Sequence, residues 1–382
     1  NITSSEVTEN SISITVSGND AHSGIYQYRF SSDNGNSYTD VTTSDSNYTY
    51  KFENLDSGTN YNIVVQVIDN AGNIGSVSQT IETDTGLVRD TLLANYPTQL
   101  TRTDFSTTVT NTTTGTIYYA DTSKGRTYYF AGNPTDNWVR FGGYYWRIIR
   151  INEDGTIRMI YQGTSANTTG SNTQIQTSTF NSSYNDNMYV GYMYQSNQVH
   201  GLTTNSTIKG VLEQWYQNNL MSVSDKIDGN AGFCGDRTLF NGSGIGKITT
   251  EYAASNRLYY NKQPTFECQN SSDLYTTSGS ENGNKALTYS IGLINADEVA
   301  YAGGVYTTNN TSYYLYTGQH YWTMTPFWYD VGYANVFFMN NRGGLSVNYI
   351  NSTYGVRPVI NLKANVKITG GDGTSTNPYI IG

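Results

Sequence analysis

Charge is what this 382-residue chain has least of. Asp, Glu, Lys and Arg together make up 13% of it, where a soluble domain carries roughly 25%. With 21 Lys plus Arg against 30 acids and a net charge of −9, a clustered basic face for tracking phosphates is not available, which argues against nucleic acid as a partner. Histidine is also scarce: His22, His200 and His320 lie far apart and none has zinc-ligand spacing to a cysteine or carboxylate. No apolar run approaches the roughly 18 residues of a membrane span. The chain begins at Asn1 without Met or a signal sequence, as a mature or trimmed ectodomain would, with any membrane or cell-wall anchor outside it. There are two cysteines, Cys234 and Cys268. An even pair suits an oxidising compartment, where a disulfide would contribute about 3–4 kcal/mol by loop closure; two unlinked buried thiols are the alternative.

In place of charge the chain has 35 Tyr, 38 Gly and many Asn, Ser and Thr. Aromatic and β-branched residues recur at strand-like spacing, which separates this composition from a disordered polar tract and predicts a strand-rich fold. The length allows two or three domains.

Residues 1–84 alternate: Ile12, Ile14 and Val16, then Tyr26, Tyr28 and Phe30, a turn at Asp33-Asn34-Gly35, Tyr48 to Phe52, and Ile63, Val65 and Val67. This predicts an all-β sandwich. Leu55 followed by Tyr61 resembles the tyrosine corner of immunoglobulin-type sandwiches, and Asp69-Asn70-Ala71-Gly72-Asn73 resembles the closing hairpin turn of bacterial fibronectin type III-like modules. Residues 85–115, Thr-rich with Pro97, read as a linker. From 116 to 382 a second domain is expected, with α+β architecture. Trp138–Ile151 and Ile157–Tyr161 flank a turn at Glu153-Asp154-Gly155, a hairpin signal. Ser206 should cap a helix carrying Ile208, Val211, Leu212 and Trp215 on one stripe, and Asn295 with Glu298 forms a capping box. The polar loops between 163 and 205 have the length of functional loops.

Several catalytic patterns fail on inspection. Ser206-Thr207-Ile208-Lys209 matches the Ser-x-x-Lys of penicillin-recognising enzymes, but no Lys-Thr-Gly follows and the one Ser-Asp-Asn, at Ser32, lies in the sandwich; a capping Ser and a solvated Lys are expected. Gly242–Lys247 resembles a phosphate loop, yet Asn241 and Ile248 stand where Gly and Ser/Thr are needed. Asp372 and the Glu153-Asp154 turn could each offer carboxylate to a structural calcium, without the 1-3-5 spacing of a known loop; no other cofactor or metal is expected. No nucleophile and base can be assigned, so the chain is not read as an enzyme.

The segment 327–354 is different. It has no Lys and no Glu, the two residue types that lose much side-chain entropy on immobilisation and are depleted at interfaces. It is rich in the Tyr, Trp, Asn, Ser and Gly that paratopes favour. Trp322, Met324, Ala334, Val336, Phe337, Met339, Leu345, Val347 and Ile350 should be buried. Phe327, Trp328, Tyr329, Asp330, Tyr333, Asn335, Asn340, Asn341, Arg342, Ser346, Asn348, Tyr349, Asn351, Ser352 and Tyr354 should form the binding surface. Trp328, Tyr329, Tyr333 and Tyr349 would be anchors; Asp330, Arg342 and the asparagines would set specificity; Arg357 would support the frame.

Three strings, Tyr321–Pro326, Gly355–Lys363 and Gly292–Gly304, resemble a domain of surface proteins in low-GC Gram-positive bacteria, some of which are similar to the variable proteins of diversity-generating retroelements. That resemblance implies a C-type lectin-like fold of the formylglycine-generating-enzyme type displaying a diversified patch near the C-terminus. Adenine mutagenesis of Asn codons would yield the residue types at the binding-surface positions named above, Trp328 excepted. No late cysteine pair follows Cys268, so oxidase activity is not implied. The function expected is that of an extracellular, cell-surface receptor or adhesin binding a protein or glycan on another cell, phage or host surface. A structural surface or pilus component that self-associates through its tyrosines is the alternative.

Overall fold

Alternating apolar residues make the first eighty residues into seven strands: β1 (Ile2–Val7), β2 (Ser11–Ser17), β3 (Ile25–Ser31), β4 (Thr39–Thr42), β5 (Asn47–Glu53), β6 (Asn60–Asp69) and β7 (Ile74–Glu82). The structure is a computed structural model describing residues 1–8, 11–56, 58–84 and 87–382. The strands form two sheets, β1-β2-β5 and β4-β3-β6-β7. Their inner faces share one core, in which Ile12, Ile14 and Val16 from the first sheet cluster with Tyr28, Phe30, Ile63 and Val65 from the second. This is a β-sandwich, as the alternation predicts. The Tyr61 hydroxyl accepts a hydrogen bond from the Asp56 N–H at 2.8 Å, pinning the chain between β5 and β6. The Asp69 carboxylate accepts from the N–H groups of Ala71 and Asn73 at 2.9 and 2.8 Å, closing the β6–β7 turn.

The compact units divide at Leu87/Val88, which corrects the expected linker at 85–115; its first two positions lie outside the described residues. Val88–Asn95 is a helix, α1, with Val88 and Leu92 buried one turn apart, and Tyr96 follows at 0% exposure. Thr98–Leu100 then pairs in parallel with Thr116–Thr122. The segment looked unperiodic because its apolar contacts are few. They suffice because each lands in the core of the second unit.

That unit, Val88–Gly382, is strand-rich; helix makes up 14% of the protein. Among the described residues it holds a nine-stranded and a seven-stranded sheet besides two-stranded ribbons. Trp138–Phe141, Tyr144–Ile151 and Ile157–Gly163 lie at the heart of the first sheet, with the Glu153–Gly155 turn where the sequence puts it. The Ile157–Gly163 strand is buried along its whole length and pairs with Val359–Leu362. Helix α2, Thr207–Asn219, starts at Ser206, whose hydroxyl accepts from the Lys209 N–H. It buries Ile208, Leu212 and Tyr216, with Val211 and Trp215 half-buried beside them. Lys209 is not solvated as expected: it is 1% exposed and ion-paired to Glu213 at 2.7 Å, one turn on. No helix among the described residues is long and apolar enough to cross a membrane.

The short helix Ala296–Ala302 carries the capping box at Asn295 and Glu298. Glu298 does more than cap. Its Oε2 accepts from the Asn295 N–H at 3.0 Å, while Oε1 lies 2.5 Å from Arg158 Nε and 3.1 Å from Arg150 Nε. Burial pulls the Arg158 guanidinium down to about 10 despite this partner. Cys234 and Cys268 are joined in a disulfide with Cα atoms 5.7 Å apart, beside the Phe233–Cys234/Leu274–Tyr275 ribbon.

Candidate functional site

The face expected from 327–354 is built on a meander of three strands, Tyr321–Asp330, Tyr333–Met339 and Leu345–Tyr349. Opposite the second of these, the first strand also pairs with Thr250–Tyr252 at its far end. Register places Glu251, Trp328, Asn335 and Tyr349 in one row across four strands. Paired residues in antiparallel strands point to the same side.

Around this row lie aromatic rings contributed from elsewhere in the chain. Tyr333 stacks on Tyr349 at 4.4 Å and on Tyr184 at 5.1 Å and 8° between planes. Tyr259 packs against Tyr306 at 4.9 Å, and both contact Phe327. The Tyr260 hydroxyl donates to Glu251 Oε1 at 3.3 Å, and that neighbouring carboxylate raises the phenol's pKa. Lys262 Nζ lies 5.9 and 5.5 Å from the ring centres of Tyr259 and Tyr306, and burial lowers its pKa. Tyr259, Tyr260 and Tyr349 are exposed, while Trp328, Tyr333, Tyr184 and Tyr306 are half-buried.

Three residues assigned to the surface are instead core. Phe327 is fully buried against Phe337, Tyr329 is 1% exposed with its hydroxyl donating to Asn185 O at 3.1 Å, and Asn335 is 3% exposed with Nδ2 donating to Tyr333 O at 3.0 Å. For Phe327 the reason is an irregularity in register, while Asn335 stays in the row with Trp328 and Tyr349 and is covered there. Pro326 pairs with Val336 and Trp328 with Asn335, so two steps on one strand match one on the other. A bulge of this kind shifts the alternation that assigns faces. The rest of the strand is covered on both sides, so Tyr329 is buried as well.

The remaining expected residues fall into separate groups. Asp330 accepts from Thr249 Oγ1 at 3.2 Å, close to Tyr333. Asn351 and Ser352 follow Tyr349 in the next turn, where the Ser352 N–H donates to Tyr349 O at 3.0 Å. Ser346 and Asn348 pair with Phe338 and Val336, and so point to the opposite side of the sheet. There Asn348 Nδ2 donates to the Tyr354 hydroxyl, and Tyr354 stacks on Phe338 and His320 at 4.6 and 4.9 Å. Asn340, Asn341 and Arg342 form the turn at the other end of the second strand, where Asn340 Oδ1 accepts from the Arg342 and Gly344 N–H groups at 2.8 and 3.0 Å. At roughly 3.3 Å per residue that turn is on the order of 20 Å from Tyr333. The structure therefore brings together Trp328, Asp330, Tyr333, Tyr349, Asn351 and Ser352, and not the other surface positions.

Tyr184, Glu251, Tyr259, Tyr260 and Tyr306 join the face from remote segments. Tyr184 lies within the long polar 163–205 loops, which the sequence marks only as a region, and the Tyr259-Tyr260 doublet is the other signal present. Arg357 supports the frame: it is 1% exposed, donates to Tyr161 O at 3.0 Å and Gln162 Oε1 at 2.7 Å, and lies over the Tyr321 ring. At the turns considered for calcium, Asp372 and Asp154 each accept from a threonine N–H and hydroxyl within their own turn. Among the described residues no group of three or more His, Cys, Asp or Glu is placed to hold a metal ion.

No protein-family model matches this chain. No curated protein matches it in sequence. Among solved structures, the chitinase ChiA74 from Bacillus thuringiensis is similar over 48% of this chain and 21% of that one, at 14% identity and a TM-score of 0.19. A fibronectin type-III domain of human fibronectin type III domain containing protein 3 is similar over 22% of this chain and 84% of that one, at 21% identity and a TM-score of 0.17. This chain thus spans about a fifth of the chitinase's length, and at these scores neither similarity carries an argument about activity.

Proposed function

We propose that this chain is a bacterial cell-surface receptor or adhesin in which a fibronectin type III-like module accompanies a C-type lectin-like, α+β ligand-binding domain, and that the face centred on Trp328, Tyr333 and Tyr349 contacts a protein or glycan ligand. The observation carrying this reading is the Tyr184–Tyr333–Tyr349 stack beside the Glu251–Trp328–Asn335–Tyr349 row. These rings are oriented by one another and by the sheet, and Tyr349 keeps 46% of its surface in solvent. Pre-oriented aromatics lose little entropy on contact, and large rings at the centre of a patch dominate binding. The resemblance to retroelement variable proteins suggests that part of this surface is diversified. No metal, cofactor or catalytic step is part of the reading.

Two kinds of variant test it. Trp328→Ala with Tyr349→Ala should cost several kcal/mol of binding while leaving the melting temperature nearly unchanged. Phe327→Ala should instead destabilise the second unit by about 3–5 kcal/mol. A collapse of the fold in the first variant would make those rings structural and end the proposal. The diversification has its own test in the DNA flanking the gene: a near-copy of the stretch encoding 320–360, differing where the copy has adenine and lying beside a reverse transcriptase gene, is expected, and its absence leaves a fixed surface.

A further inference from the structure

The tip of the Tyr321–Asp330/Tyr333–Met339 hairpin is built against the preference of its own backbone. Val331 and Gly332 form a two-residue loop with φ of 48° and 86°, flanked by the Asp330–Tyr333 pair. With both φ values positive this has the character of a type I′ turn, which favours Asn, Asp or Gly at its first position. A β-branched side chain in the left-handed region crowds its own backbone. Val331 recovers nothing by packing, because it is 83% exposed. Strain that does not serve the fold points towards what the surface does.

Val331 has apolar company. The 242–249 loop is tied to the tip by the Thr249–Asp330 hydrogen bond, and Ile248, next to Thr249, is 58% exposed. Asn187 Nδ2 donates to Ile248 O at 2.7 Å, and the Ala334 N–H donates to Tyr184 O at 2.8 Å, so the tyrosine stack borders the same tip. The charges on this face are three carboxylates, Asp186, Glu251 and Asp330, against two ammonium groups, Lys247 and Lys262.

We propose that Val331, together with Ile248, is the apolar anchor of this face and seats in an apolar pocket of a folded protein partner whose rim is basic. The inference rests on the ligand-binding reading above and narrows its ligand class. Saccharides present hydroxyls that two aliphatic side chains cannot satisfy. A second copy of this chain, at net charge −9, repels an acidic tip, whereas a basic rim complements it.

The test uses the full chain and binders selected from a phage-displayed library of small helical domains with randomised surfaces, beside a panel of neutral and acidic oligosaccharides. The selected domains should carry an excess of Lys and Arg around apolar positions. Val331→Asn suits the left-handed turn and should raise the melting temperature by about 2–4 °C while weakening the selected domains at least tenfold. If Val331→Asn leaves affinity intact and Trp328→Ala with Tyr349→Ala abolishes it, Val331 is not an anchor and the wider face stands. If neither variant weakens binding, both readings fall. Binding of oligosaccharides alone, or a Val331→Asn chain no more stable than the parent, overturns the inference.

Discussion

Glu298→Gln keeps the size of the side chain and an acceptor for the Asn295 N–H, and removes one charge. In the parent, Glu298 has no side-chain exposure and Arg158 2%, with 2.5 Å between Oε1 and Nε. The other Arg158 contacts are neutral: Gly232 O at 2.9 Å, Leu293 O at 3.4 Å, Asn361 Oδ1 at 3.4 Å and the face of Phe233 at 4.8 Å. The variant therefore leaves a guanidinium, already lowered to about 10 by burial, without its carboxylate. Breaking one side of a buried pair costs about 3–5 kcal/mol. At about 2–4 °C per kcal/mol for a large domain, calorimetry at pH 7 should show the transition of the second unit falling by roughly 10 °C. The sandwich core shares no residue with this one, and its transition should stay in place. Adding Arg158→Met should recover at least half of the loss, since a well-packed apolar substitute for a buried pair is often neutral. A single-variant loss below about 1 kcal/mol, or a double variant weaker than the single one, would refute the claim that the charge is uncompensated.

Replacing both Cys234 and Cys268 by Ser removes a link across 34 residues, and loop-closure entropy puts the cost at about 4 kcal/mol. A calorimetric loss below about 1 kcal/mol would mean that the surrounding contacts, not the link, fix this region. Burial holds the His320 imidazole below its ordinary pKa, and its ring stacks on Tyr354. A base depressed in the folded state gives stability that is complete above the unfolded value of about 6.5 and is lost as pH falls through the folded value. Urea titrations from pH 7 to pH 5 should show that loss in the parent and a smaller one in His320→Phe. Equal slopes would clear His320 of the effect.

Local signals were the legible ones. Ser206 and Asn295 cap helices through atoms within three residues of themselves, so the sequence exposes both starts. The sandwich was readable because apolar residues recur at every second position in β2, β3 and β6. What escaped depends on tertiary packing. Helix α1 buries only Val88 and Leu92, too few for a pattern, although Tyr96 then reaches Asp136 O through its hydroxyl at 2.7 Å. Lys209 looked solvated because a lysine gives no hint that its stem will be covered, and Glu213 one turn away was the available clue. In the candidate site the composition of 327–354 picked out three paired strands but not which of their side chains share a face. The bulge at Phe327 moved that ring inward, and the length of the second strand separated Arg342 from Tyr349. Half of the aromatic face, from Tyr184 to Tyr306, enters from segments with no distinctive motif.

The bulge also governs how this segment can change over time. With Pro326 matched to Val336 and Trp328 to Asn335, the positions at 328, 333 and 349 can exchange side chains without altering the strand beneath them. Losing the extra residue at 327 would leave Trp328 opposite Asn335, whereas losing one from the 331–332 turn would slip the pairing of the two strands and turn residues of the row towards the other face. Natural variants of this protein should therefore differ in identity at 328, 333 and 349 while keeping the length of the segment fixed.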